Sequence, residues 1–224
     1  GTVAGTSIVE IFHNGWGIGH LTEYTGQLYF SYGNGSSDPQ TGLWVSDGTL
    51  AGTNLAVNFG SSGSYSSPYA HLSNQINGLQ QSKSNGFIIL NQEMYFVAND
   101  GIHGNELWKS DGTLAGTSMV KDINSGSTDS QNPNTVRTNH IKVIGNVMYF
   151  TATDGSYTDL WKTDGTGSGT VKVKDFMWFQ EYSDFVSIGS TLYFSARSGS
   201  YMGLWKSTGS SSGTSEITIS SQFR

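Results

Sequence analysis

Three aspartates recur immediately before glycine, Asp47, Asp111 and Asp164, and carboxylates at repeated positions could serve as metal ligands or proton donors. Each stands in a Ser/Thr-Asp-Gly-Thr stretch that closes on Gly-Thr. There an aspartate caps backbone N–H groups of its own turn, so the turn role is the first reading. The fourth copy has Thr208-Gly209 instead, a change that a turn absorbs more easily than a ligand set. Of the five histidines, His13, His20, His71, His103 and His140, no two have HxH or HExxH spacing. Zinc would require distant loops to converge, so no metal site is assigned. Calcium is the one cofactor to consider, at the oxygen-rich loops of Asp38, Asp100 and Asp154, but none has the alternating acidic spacing of a calcium loop. Glu181 and Asp184 could form an acid–base pair, and equally read as solvated loop charges.

The elements that must position these side chains come from a repeat. Leu28-Tyr29-Phe30, Met94-Tyr95-Phe96, Met148-Tyr149-Phe150 and Leu192-Tyr193-Phe194 are each followed by a Leu-Trp pair: Leu43-Trp44, Leu107-Trp108, Leu160-Trp161 and Leu204-Trp205. In the second copy, Met94, Phe96 and Ala98 alternate with Tyr95 and Val97, the period of a strand packed on both faces. Strands are predicted there over Phe87–Leu90, Glu93–Ala98, Asn105–Ser110 and Thr117–Ile123. A four-stranded meander repeated in this way cannot bury both faces alone, which predicts an all-β propeller of four blades in one domain. The blades span approximately 21–59, 86–123, 140–176 and 185–220. The motif tryptophans and tyrosines then read as core between blades, and the extra length at 60–81 and 124–139 as loops.

One piece does not fit four blades. Gly1 to Thr6 reads as the end of a turn motif, and Ser7 to Phe12 as a fourth strand with no Leu-Trp strand before it. Residues 1–12 are expected to supply an extra outer strand. It would close the ring, enter a neighbouring molecule by strand exchange to build a fibre, or belong to a blade of a larger propeller or array. In a ring closed by strands from both ends, either this strand or Thr214 to Ser220 lies at the outer edge of the last blade.

Bulk composition narrows the partners. Charged residues are 12% of the 224, and the formal net charge is −6 with no basic cluster, which argues against nucleic acid. No window approaches the roughly 18 apolar residues of a membrane-spanning helix, so membrane insertion is not expected. The chain has no cysteine, so disulfides and thiol chemistry are ruled out.

Glu106-Leu107-Trp108-Lys109-Ser110-Asp111-Gly112-Thr113, with Ala115-Gly116-Thr117 after it, resembles the ELWxxDGT-repeat proteins of bacteria, and the likeness runs through all four copies. The first, third and fourth copies depart at the Glu position, with Gly42, Asp159 and Gly203. The turn is also similar to the Asp-box of sialidase propellers, where it is mostly structural. The resemblance implies a secreted or cell-surface bacterial propeller and implies no catalytic residue.

In a propeller, the loops between blades and those between second and third strands emerge on one face, and the Asp-Gly turns on the other. All five histidines fall on or beside the first kind of loop, as do Trp16, Tyr65, Tyr69, Trp178 and Tyr182. The expected function is therefore non-enzymatic binding or adhesion outside the cell. A glycan or cell-surface ligand would be held by Trp16, Tyr69, His71, His103, Trp178 and Tyr182. The alternatives are a structural subunit that self-associates through its N-terminal strand, and a polysaccharide hydrolase or lyase.

Overall fold

The computed structural model describes residues 8–10, 18–32, 41–59, 87–99, 103–125, 136–155, 157–177, 179 and 185–218. They form sixteen strands in four separate antiparallel sheets, each a meander of four consecutive strands. The first sheet holds β1 (Ile18–Tyr24), β2 (Gln27–Tyr32), β3 (Gly42–Ser46) and β4 (Asn54–Asn58). The second holds β5 (Ile88–Leu90), β6 (Glu93–Asn99), β7 (Asn105–Ser110) and β8 (Ser118–Lys121). The third holds β9 (Val136–Ile144), β10 (Val147–Thr153), β11 (Thr158–Thr163) and β12 (Val171–Lys174). The fourth holds β13 (Val186–Ile188), β14 (Thr191–Arg197), β15 (Met202–Ser207) and β16 (Thr214–Glu216).

The repeat fixes the register. The motif Phe and Trp are cross-strand partners in every sheet: Phe30 with Trp44, Phe96 with Trp108, Phe150 with Trp161 and Phe194 with Trp205. A one-residue slip would turn the whole apolar set to the wrong face, so this pairing keeps the sheet faces in place.

Each turn that closes the third strand onto the fourth is a relay of hydroxyls. Gly48 N donates to Ser46 Oγ (3.1 Å), Ser46 Oγ lies 2.7 Å from Thr53 Oγ1, and Thr53 Oγ1 donates to the Thr49 carbonyl (2.7 Å). With the Thr53 proton committed to that carbonyl, Ser46 is the donor of the pair. The same relay runs through Ser110 and Thr117, Thr163 and Thr170, and Ser207 and Thr214, each pair 2.7 Å apart. Small hydroxyl residues thus satisfy one another inside the turn, and every buried polar atom of the relay has a partner.

Successive sheets pack face to face. Tyr29, Leu43, Val57 and Phe59 of the first meet Met94, Phe96, Ala98 and Trp108 of the second. Tyr95, Val97, Leu107 and Ile123 meet Met148, Phe150, Ala152 and Trp161 in the next interface. Tyr149, Leu160, Val173 and Phe176 meet Leu192, Phe194, Ala196 and Trp205 in the third. An aromatic residue one or two positions after a fourth strand reaches the motif Trp of the following sheet, with Phe59 edge-on to Trp108 at 5.4 Å and Phe176 edge-on to Trp205 at 5.0 Å. Each such large side chain contributes about 1.5–3 kcal/mol by leaving water. The core is therefore three interfaces in series. No apolar cluster among the described residues joins the fourth sheet to the first.

Two sequence expectations fare differently at the ends. Thr214–Glu216 does form the outer strand of the last sheet. Most of the expected extra strand lies outside the described residues, and its middle, Ile8 to Glu10, takes no part in a ladder.

Candidate functional site

Because every sheet is a simple meander, its two ends differ in chemistry. One end carries the tight Asp-Gly turns and the hairpins between first and second strands. The other carries the connections between second and third strands and the exits of the fourth strands. Aspartates are absorbed at the first end. Asp47 Oδ1 accepts from Thr49 N (2.9 Å) and Thr49 Oγ1 (2.7 Å), and Asp111 with Thr113 and Asp164 with Thr166 repeat both bonds at the same lengths. The Thr hydroxyl and then the Thr amide hold each carboxyl below its ordinary range, as expected for an acceptor of two hydrogen bonds.

At the opposite end lie the motif carboxylates before Leu-Trp. Glu106 Oε accepts from Asn124 N (3.1 Å), and Asp159 Oδ1 from Phe176 N (2.9 Å), so each carboxylate catches the backbone as it leaves the fourth strand. Where that residue is Gly42, the Thr41 carbonyl accepts from Phe59 N instead (3.0 Å). In the fourth sheet the Leu204 carbonyl takes Ile217 N (2.7 Å), and the Glu216 side chain occupies the space that a side chain at Gly203 would need. The motif Glu is thus one of several ways to satisfy the same exit amide, which explains why three copies dispense with it.

These carboxylates are electrostatically unlike. Glu106 is fully buried, and burial pushes its carboxyl up to about 7, with the Asn124 and Ile123 amides pulling the other way and His103 helping weakly. Its Oε2 has no hydrogen-bond partner among the described residues. Burial also raises Asp159, but Lys172 Nζ lies 2.8 Å away and counters it. The same ammonium binds Asp154 (2.7 Å) and Asp175 (2.9 Å). Burial pulls Lys172 down, and the three carboxylate bonds outweigh it and hold the group protonated. Asp154, one of the loops considered for calcium, is therefore engaged by a lysine. Among the described residues no three His, Asp or Glu side chains are grouped to hold a metal.

The sequence-predicted binding residues separate into two groups. Trp16, Tyr69, His71, Trp178 and Tyr182 lie outside the described residues. His103 is half-buried in the connection between β6 and β7, close enough to act on Glu106. His20 and His140 belong to strands rather than loops, which corrects the expectation that all five histidines serve a loop surface. His20 Nδ1 is 2.8 Å from Ser31 Oγ, and burial lowers the pKa of the ring. His140 is fully buried between the rings of Phe179 and Phe185, with Nδ1 3.2 Å from Thr151 Oγ1. β9 begins earlier than its sequence suggests, and this draws His140 into the core.

Two residues that the sequence reading passed over stand out at this end. Tyr157 is 55% exposed between β10 and β11, and Tyr201 is 85% exposed between β14 and β15. Both sit three residues before the Leu of a Leu-Trp pair, the place that His103-Gly104 takes in the longer second copy. Counting back from Leu160 and Leu204 would have found them. Exposed phenol rings on equivalent connections, with a histidine on the third, can stack on flat apolar surfaces such as sugar faces and donate hydrogen bonds at their rims.

A scan against protein-family models and a search of curated proteins match nothing to this chain. Among solved structures, similarity is found to TolB from Acinetobacter baumannii, at 14% identity and a TM-score of 0.42, covering 86% of this chain and 41% of that one. A prolyl endopeptidase shares 10% identity over 86% of this chain and 24% of its own, with a TM-score of 0.45. A thermostable family-43 glycoside hydrolase shares 11% identity over 90% of this chain and 72% of its own, with a TM-score of 0.36. The chain thus spans less than half the length of TolB and about a quarter of the prolyl endopeptidase.

Proposed function

We propose that the four sheets are blades of a β-propeller of the ELWxxDGT-repeat type, and that the chain is a non-enzymatic extracellular binding module. It recognises a glycan or other cell-surface ligand through the end that carries the connections between second and third strands. The observation that supports this most is the pair of exposed tyrosines, Tyr157 and Tyr201, at one repeat position beside His103. Repeat tryptophans, motif aspartates and motif carboxylates are occupied by packing, turn bonds and strand exits, so chemistry free for a ligand concentrates on these connections.

Binding favours such a surface over catalysis. Glu106 and Asp159, the buried carboxylates of this end, each hold a backbone amide at a strand exit, and Asp159 is also paired with Lys172, so both are committed within the fold. The test is a glycan array followed by titration, using the protein and a Tyr157→Ala/Tyr201→Ala double variant. A ligand retained by the native protein and weakened at least tenfold in the variant is the expected result. Native binding no greater than background, or unchanged binding by the double variant, would sink the proposal.

A further inference from the structure

The three interfaces between sheets share one set of contacts. The second-strand tyrosine of each sheet places its hydroxyl against the turn glycine of the next, Tyr29 on Gly112, Tyr95 on Gly165 and Tyr149 on Gly209. Beside it the Leu of Leu-Trp is wholly covered, with Leu43, Leu107 and Leu160 at most 1% exposed. In the third interface, Lys162 Nζ also donates to the Gly209 carbonyl of the next turn at 2.7 Å.

Both ends of the series carry an unused half of this interface. In the fourth sheet Leu204 is 52% exposed, and Val186, Ile188 and Met202 on the same face are exposed with it. The side chains of Tyr193 and Lys206 have no hydrogen-bond partner among the described residues, and Lys206 is exposed. In the first sheet, the turn glycine Gly48 has the same left-handed backbone as its counterparts (φ +90°) but nothing within 4 Å of a side chain built on it. Leu28, the counterpart of the fully buried Met94, Met148 and Leu192, is 37% exposed. Phe30, Tyr32 and Trp44 further along that face are already buried, so what remains open is the turn end, where Tyr193, Ile188 and Lys206 also lie on the fourth sheet.

We infer that the fourth sheet docks on the turn end of the first sheet of a second copy of this chain. Tyr193 would lie on the partner's Gly48, and Lys206 would donate to its carbonyl. The occupant is identified by continuity: the interface repeats three times inside the chain, and each free end offers the half that the other lacks. Such a head-to-tail contact either closes into a ring of a few copies or runs on as a filament. It uses side-chain packing, not exchange of a strand, and does not depend on the ligand proposed above.

The test is mass in solution by sedimentation over a concentration series. The native 24.1 kDa chain is expected to exceed its monomer mass as concentration rises. Leu204→Asp and Leu28→Asp, both at exposed positions, should each remain monomeric with an unchanged melting temperature. Each variant keeps one competent end, so an equimolar mixture should form a 1:1 complex that grows no further. A native chain that stays monomeric at the highest concentration overturns the inference. So does a mixture that does not associate, or an association abolished by removing residues 1–12 yet unaffected by Leu204→Asp.

Discussion

The phenolic oxygen of Tyr95 occupies the space into which a side chain on Gly165 would have to grow. Gly165 also has φ +97°, so the position excludes other residues for two separate reasons, one in the backbone and one in the neighbouring sheet. The Asp-Gly turn is therefore part of the packing between sheets as well as a local hairpin.

Gly165→Ala should accordingly cost more than Gly26→Ala, whose glycine has φ +79° but open space around it. Both variants incur a left-handed backbone term of about 1–2 kcal/mol. Gly165→Ala adds an overpacking term of about 1–3 kcal/mol against the Tyr95 hydroxyl. Urea unfolding of a double-mutant cycle with Tyr95→Phe checks this, because deleting that hydroxyl should recover part of the extra loss. Additive losses would mean that the two residues do not meet.

Glu106 supplies a pH dependence with a definite sign. Its carboxyl titrates near 7 when folded and near the ordinary 4.5 when unfolded, so folding favours the protonated form. Its contribution to stability is fully present below the unfolded value and is lost as pH rises through 7, by linkage of order 3 kcal/mol. Glu106→Gln keeps the acceptor for Asn124 N without the charge. Relative to the native chain, the variant should gain stability between pH 5 and pH 8.5 in urea titrations. Parallel profiles would show that the buried carboxyl is not the source.

The fourth turn offers a gain rather than a loss. Thr208 stands where the other turns have Asp, while Ser210 already accepts as the turn threonines do, its hydroxyl oxygen from Gly213 N (3.0 Å) and its carbonyl from the Thr214 hydroxyl (2.6 Å). Thr208→Asp should add the two bonds seen from Thr49 to Asp47 and raise the melting temperature by a few degrees. Asp111→Ala should lower it. Calorimetry on both variants measures the pair, and a lowered melting temperature for Thr208→Asp would contradict the shared turn geometry.

Much of the fold was legible because the repeat encodes it locally. Strand order and the Asp-Gly turns both follow from short-range periodicity and turn chemistry, and β6 and β7 fall within a residue of their predicted spans. The assignment of His140 to a loop failed because burial there depends on Phe179 and Phe185, far along the chain, which no local pattern announces. The role of the motif Glu was equally invisible. Its partner is an amide proton 18 residues later, and backbone groups carry no sequence signature. Tyr157 and Tyr201 were hidden for a different reason: they stand in a place where the repeat has no consensus.

The order of strands within each sheet has a consequence for synthesis. Every sheet is built from one uninterrupted run of chain, and each interface joins a sheet only to its successor. A nascent chain leaving the ribosome can therefore complete one sheet before the next is translated, with the exposed face of the newest sheet waiting only for the following segment. Stalling after a completed interface would leave a folded stump with one apolar face uncovered rather than a tangle.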